Sequence, residues 1–255
     1  MAQRLEIIPL VGFPLVEPGD DLAALIARSL RDNGLTLSPG DVLVIAQKVV
    51  SKAEDRYVRL ADVEAGAQAT ELAARADKDP RQVQLILDES AEVMRVRPGV
   101  IIVEHRNGYV LANAGIDKSN ISRDPDDPRV LLLPVDADAS AASLRDALER
   151  HCAVAPQIII NDSLGRAWRN GTVGIAIGTA GLDPLFTQIG DKDLFDNVLE
   201  VTEPAVADEL AAAASLVMGQ AAEGCPVVLA RGAMLAPAQQ GSGRLIRDKS
   251  MDMFR

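Results

Sequence analysis

Gly99-Val-Ile-Ile-Val-Glu-His-Arg-Asn-Gly-Tyr-Val-Leu-Ala112 decides how this chain folds. Two apolar runs flank Arg106-Asn107-Gly108, and Asn-Gly between β-like runs is a strong hairpin signal. The second arm runs straight into Asn113-Ala-Gly-Ile-Asp-Lys-Ser-Asn120. Further on, Gln157-Ile-Ile-Ile160 leads into Asn161-Asp-Ser-Leu-Gly-Arg166 in the same way. Each segment is therefore expected to present one carboxylate, Asp117 or Asp162, at the end of a strand among small polar residues. Asn, Asp, Gly and Ser also populate ordinary turns. Two matched loops, together with a lysine segment upstream, favour a hard cation held through oxygen. Mg²⁺ typically takes one or two carboxylates and completes its shell with water and substrate phosphates.

Outward from the hairpin, the pattern mixes strands and helices. Leu5–Leu10 reads as a short strand and Leu22–Leu30 as an amphipathic helix, with Asp20 or Asp21 as its N-cap. Val42-Leu-Val-Ile45 reads as a buried strand that Gln47-Lys-Val-Val-Ser-Lys52 continues into a polar end. Residues 63–95 read as two or three helices broken at Asp79-Pro80. Val130–Pro134 is a strand candidate, Ser140–His151 an amphipathic helix, and Gly171–Gly181 a strand closely approached by other backbone. Val206–Gly219 reads as an alanine-rich helix and Pro226–Arg231 as a last strand, before a polar tail from Gln239 that is expected to be mobile. Regular βαβ alternation is lacking, so the expectation is α+β with mixed sheets rather than a doubly wound parallel sheet. The whole of 1–255 is read as one domain, with a subdomain boundary near the acidic proline loop at 122–128.

Composition narrows the function. A net charge of −11 argues against nucleic acid as a partner, because phosphate backbones need a basic face. Aromatic residues at 3% leave little for base-stacking platforms. Two separated cysteines, Cys152 and Cys225, form neither a disulfide framework nor a zinc spacing, and they fit a cytoplasmic home. No apolar run approaches the roughly 20 residues needed to span a bilayer, and the N-terminus lacks a signal-peptide core. With only His105 and His151, a histidine-based metal site or triad is not expected. Gly219-Gln-Ala-Ala-Glu-Gly224 has the outer glycine spacing of a P-loop, but Cys225-Pro226 replaces its Lys-Ser/Thr.

Three constellations remain. Lys48 and Lys52 serve either as point charges for a polyanion or as solvated strand-end guards. Asp117 and Asn120, in one turn, can serve a metal and a nucleotide together. Asp162 and Ser163 place a carboxylate beside a hydroxyl, with Arg166 and Arg169 flanking Trp168 just beyond. Those arginines either hold an anionic substrate group or form surface ion pairs. A metal-dependent phosphohydrolase and a non-catalytic nucleotide-binding module are the competing readings.

The ordered blocks Gly12-Phe-Pro-Leu-Val-Glu-Pro-Gly-Asp-Asp-Leu22, Asp41-Val-Leu-Val-Ile-Ala-Gln-Lys-Val-Val-Ser-Lys52, Asn113–Asn120, Asn161–Arg166 and Gly171–Gly178 together resemble the coenzyme F420-0:L-glutamate ligases. That resemblance implies a GTP-dependent enzyme that adds L-glutamate to the side-chain carboxylate of a deazaflavin precursor. It implies a homodimer of two intertwined α+β subdomains, using Mg²⁺ or Mn²⁺ with help from a monovalent cation such as K⁺. By position, Asp117 and Asp162 resemble ligands of a first metal, and Ser163 and Gln220 those of a second. Family members can carry Glu where Gln220 stands here, so the amide brings no charge to that second metal. Phe13, Pro14, Leu15, Val16, Gln47, Lys48, Lys52 and Asn120 resemble GTP contacts. So does the segment Met218, Gly219, Gln220, Ala221, Ala222, Glu223, Gly224 and Cys225. Asp117, Asp162 and Lys52 are the residues expected to carry the chemistry.

Overall fold

A computed structural model of the protein describes residues 4–121, 126–233 and 235–253. The chain opens with β1 (Glu6–Pro9) and α1 (Leu22–Asp32). Asp21 caps α1, its side chain accepting from the Ala24 amide at 2.9 Å, which satisfies one of the donors a helix start leaves open. β2 (Val42–Ala46) passes directly into α2 (Gln47–Ala53). Here the strand expected to continue through Lys52 is corrected to a helix. Gln and Lys are good helix formers, and the Ser51 hydroxyl ties back to Gln47 Oε1 one turn earlier at 2.9 Å.

β3 (Tyr57–Arg59), α3 (Ala67–Ala76) and α4 (Pro80–Asp88) follow. Asp79 caps α4 and Pro80 opens it, where its missing N–H costs nothing. The helical reading through Arg95 is too long. Ser90–Arg97 forms β4, paired antiparallel to β5 (Val100–His105), and this pairing overrides a helix-friendly composition. β6 (Val110–Ala112) completes the expected hairpin. Gly108 supplies the positive φ of its turn, at +90°. β7 (Arg129–Leu131), α5 (Ala137–Cys152), β8 (Gln157–Arg166), β9 (Arg169–Ala180), α6 (Val206–Met218) and β10 (Val227–Arg231) complete the order. Residues 122–125 of the acidic loop lie outside the described residues, and with them part of the expected boundary.

The fold is mixed α+β, as the sequence pattern implied. Its main sheet has the order β1-β10-β2-β8-β9, in which only β2 and β8 run parallel. Alternation along the strands feeds two cores. Leu43, Ile45, Ile158, Ile160 and Leu229 face α1 and α5, whereas Val42, Val44, Ile159 and Val228 face α6. A third core packs α3 and α4 on the three-stranded sheet β4-β5-β6 through Leu72, Val83, Ile86, Ile101 and Val103. The tail is not loose where it is described. Ser242 is buried, its amide bonding Asp138 at 2.9 Å. Arg244 pairs with Asp183 at 2.6 Å and Lys249 with Glu104 at 2.7 Å. These partners lie more than fifty residues away, which is why local polarity misread the segment.

Candidate active site between the main sheet and the α3/α4 layer

β2 and β8 run side by side with Ala46 opposite Asn161. The residues that follow, Gln47 and Lys48 on α2 and Asp162 on β8, therefore emerge together. Ligands of open α/β sheets gather at this carboxyl end of parallel strands. Asp162 does not follow the strand, as the sequence reading had it. It lies inside a ten-residue β8, because β9 pairs on past it, with Ile175 opposite.

Asp117 arrives from the other layer. Its backbone forms both hydrogen bonds of an antiparallel bridge with Leu131, at 2.9 and 3.0 Å. Just upstream, Asn113 and Ala114 adopt positive φ values of 53° and 54°, and Asn113 Oδ1 accepts from the Ile101 amide at 3.1 Å. The loop is thus pinned by its own turn chemistry. The Asp117 carboxylate meets Lys48 Nζ at 2.6 Å and accepts from Gln47 Nε2 at 2.7 Å. Gln47 is itself buried and oriented by Ser51.

Asp162 senses this centre. Burial pushes its carboxyl pKa up to about 7, and the nearby Asp117 charge pushes the same way; Lys48 and the Ser163 amide at 2.8 Å oppose them. Lys52, one helical turn beyond Lys48, has its pKa lowered by burial and by the Lys48 charge, with Glu17 opposing. Asp117, Asp162, Lys48 and Lys52 are therefore linked through a chain of electrostatic neighbours. Such shifted groups in one cleft are the electrostatic mark of a functional site.

The flanks follow. Gly19 N–H bonds the Ala53 carbonyl at 3.0 Å, which lays the Phe13–Val16 loop against α2. Val16 is buried, Phe13 and Pro14 are partly covered, and Leu15 is exposed. Asn120 Nδ2 donates to the Ala221 carbonyl at 3.0 Å, tying the Asp117 loop to the Met218–Cys225 loop. In that loop the Glu223 side chain accepts from the Ala221 amide at 2.8 Å. Gln220 is exposed on it, and no hydrogen bond among the described residues joins it to Asp162 or Ser163. Asn161 points to the opposite face, donating to Ser215 Oγ at 3.2 Å on α6. The sequence reading missed Glu17. Its place beside Phe13–Val16 was a signal, but its approach to Lys52 depends on the fold.

Asp117, Asp162 and Ser163 can offer hard oxygen ligands. Among the described residues, no group of three or more His, Cys, Asp and Glu converges as a metal site. Mg²⁺ typically takes one or two carboxylates and its other ligands from water and phosphate. Burial, with a further contribution from the Asp117 charge, raises the Asp162 pKa, and a nearby divalent cation would oppose both effects.

The family model described as F420-0:Gamma-glutamyl ligase matches residues 11–232. The chain belongs to this family. It is 44% identical to the coenzyme F420:L-glutamate ligase of Methanothermobacter thermautotrophicus over 253 residues, covering 98% of this chain and 99% of the relative. The enzyme of the same name from Methanopyrus kandleri is 45% identical over 258 residues, covering 99% and 97%. That from Archaeoglobus fulgidus is 41% identical over 253 residues, covering 99% and 97%. No helix among the described residues is long and apolar enough to cross a membrane.

Proposed function

We propose that this protein is a GTP-dependent ligase that joins L-glutamate to the side-chain carboxylate of coenzyme F420-0, and of its first glutamylated product. The observation that carries the reading is the convergence of Asp117, Asp162 and Lys48 at one sheet end, in a chain of the F420-0:Gamma-glutamyl ligase family. A carboxylate and an amine do not condense unaided in water. The acceptor carboxylate attacks the γ-phosphorus of GTP, forming an acyl phosphate and releasing GDP. The glutamate amine then attacks the acyl carbon, phosphate leaves, and the amine proton passes to solvent or a carboxylate.

Phosphoryl transfer needs positioning and charge neutralisation more than a covalent nucleophile. Lys48 and Lys52 supply mobile positive charge to the phosphates. Gln47 and Asn120 orient the carboxylate centre and the nucleotide loops. Asp117 and Asp162 would hold a first Mg²⁺ or Mn²⁺, and Ser163 with Gln220 a weaker second one. A cation held there would supply charge neutralisation to the phosphates. Phe13–Val16 and Met218–Cys225 are the walls of the GTP site, with K⁺ as a helper. The first step needs no general base, because the attacking carboxylate is already ionised at neutral pH. That agrees with the lack of a catalytic histidine.

The assembly we propose is a cytoplasmic homodimer of intertwined subdomains, without nucleic acid or membrane partners. Supporting self-association, Leu194, Phe195 and Val201 stand exposed on the segment between β9 and α6. Where exposed apolar side chains form one contiguous patch, they mark association surfaces.

The test is to incubate the protein with F420-0, L-glutamate, Mg²⁺ and GTP, omitting one component at a time and reading glutamylation by mass spectrometry. Product is expected only in the complete mixture, and Asp117→Asn should lower turnover at least ~100-fold, the scale set by electrostatic stabilisers of transition states. GDP release without glutamylation would instead favour the phosphohydrolase reading. GTP binding with neither product would favour the binding module.

A further inference from the structure

Trp168 is the single tryptophan of the chain, and it is 89% exposed. It occupies the tip of the β8–β9 hairpin, in the two-residue turn Ala167-Trp168 between the paired Arg166 and Arg169. Its φ is +64°, a left-handed conformation that bulky side chains rarely adopt. At the third position of such a turn, Gly or Asn is the locally favoured residue. Backbone preference and hydrophobic exposure both argue against an indole here. Where local rules are broken without a gain inside the fold, the gain is sought in function.

Two further observations say what the indole meets. First, Trp168 shares a hairpin with Asp162 and Ser163. Six residues separate it from Asp162, so at about 3.3 Å per residue the tip stands on the order of 15–20 Å from the carboxylate centre. Second, the cationic residues Arg166 and Arg169 pair across the turn that carries Trp168, in a chain whose net charge is −11. Arg166 is braced across the turn, donating to the Asn170 carbonyl at 3.1 Å. An exposed indole on a turn flanked by arginines suits a planar, aromatic and anionic ligand.

We propose that Trp168, with Arg166 and Arg169, is the platform on which the deazaflavin end of the acceptor stacks, while its carboxylate arm reaches back along β8 to Asp162. This rests on the ligase reading and places the part of the substrate which that reading leaves unplaced. The acceptor fits better than the nucleotide. The residues assigned to GTP gather around Asp117 and α2, whereas the acceptor carries its ring and its reacting carboxylate at opposite ends of a flexible arm.

Because no other tryptophan is present, indole emission reports the contact directly. Full-length protein titrated with F420-0 in the absence of GTP, with correction for ligand absorbance, should show quenching of Trp168. Trp168→Ala should weaken F420-0 binding, measured by equilibrium dialysis, and raise its KM by ~10-fold, the scale of one aromatic stacking contact. The KM for GTP should stay within about twofold by the same reasoning, and Trp168→Phe should restore most of the acceptor affinity. Gly is favoured in this turn, so Trp168→Gly provides a second variant in which misfolding cannot explain the loss. Binding of F420-0 without quenching would overturn the proposal, as would an unchanged acceptor KM in Trp168→Ala. Loss of a dimer in that variant, with acceptor affinity intact, would assign the indole to a second copy of the chain. If wild-type protein binds F420-0 with quenching but makes no glutamylated product, the ligase reading fails while the platform stands.

Discussion

At the scale of single residues, Asp162 has the most consequential electrostatics. Its pKa is raised from 3.8 to about 7, so between those values the folded state binds a proton that the unfolded chain has released. Stability from this group is therefore present at low pH and is lost as pH rises through about 7. Asp162→Asn removes the buried charge. In the absence of divalent cation, the variant should be more stable than wild type at pH 8 by on the order of 1–3 kcal/mol, and so melt at a higher temperature. The gap should close toward pH 4, and Mg²⁺ should raise the melting temperature of wild type only. Melting curves with an equal gap at both pH values would show that ionisation of the buried Asp162 carboxyl is not the cause. The turn chemistry around Asp117 was legible in the sequence, whereas Asp162 was expected after a strand and lies within β8. Their meeting was not legible, because 45 positions separate Asp117 from Asp162; the β2–β8 pairing brings Asp162 toward Lys48, and Lys48 and Gln47 in turn hold Asp117.

At the scale of elements, the informative case is α2. Its residues were expected at the end of a strand, whereas Lys48 and Lys52 lie one turn apart on a helix. Burial of Gln47 and its bond to Ser51 fix that helix, and neither can be seen in a pattern of apolar periodicity. β9 shows the opposite. Its glycines announced close packing, and the structure says against what. A Cβ at Gly174 would collide with Ser215 Oγ and the Ala211 carbonyl oxygen of α6, and one at Gly178 with the Ala137 carbonyl oxygen at the start of α5. The register shift between Ile160 and Asn161 lets these two glycines face different helices. Gly174→Ala should therefore cost about 1–3 kcal/mol by overpacking, or roughly 2–4 °C per kcal/mol in a chain of this size. It should also weaken turnover, because α6 holds Asn161 beside Asp162. A melting temperature unchanged within about a degree would mean that α6 can shift freely, contrary to this packing.

At the scale of the molecule, the mixing of strand and helix patterns without regular βαβ alternation made the α+β class legible. The third core around α3 and α4 was half-legible, since its helices were expected but its sheet was read as more helix. That layer matters because it carries Asp117 to a centre otherwise built from the main sheet. A carboxylate centre assembled from two layers, with paired lysines, is suited to activating one substrate's carboxylate with the phosphate of another. The decisive measurement follows one oxygen. F420-0 labelled with ¹⁸O in its side-chain carboxylate should transfer one ¹⁸O to the inorganic phosphate for each glutamate joined, read by mass spectrometry of both products. Unlabelled phosphate formed alongside glutamylated F420 would contradict an acyl phosphate, and with it the central claim that this site activates the acceptor carboxylate by phosphoryl transfer.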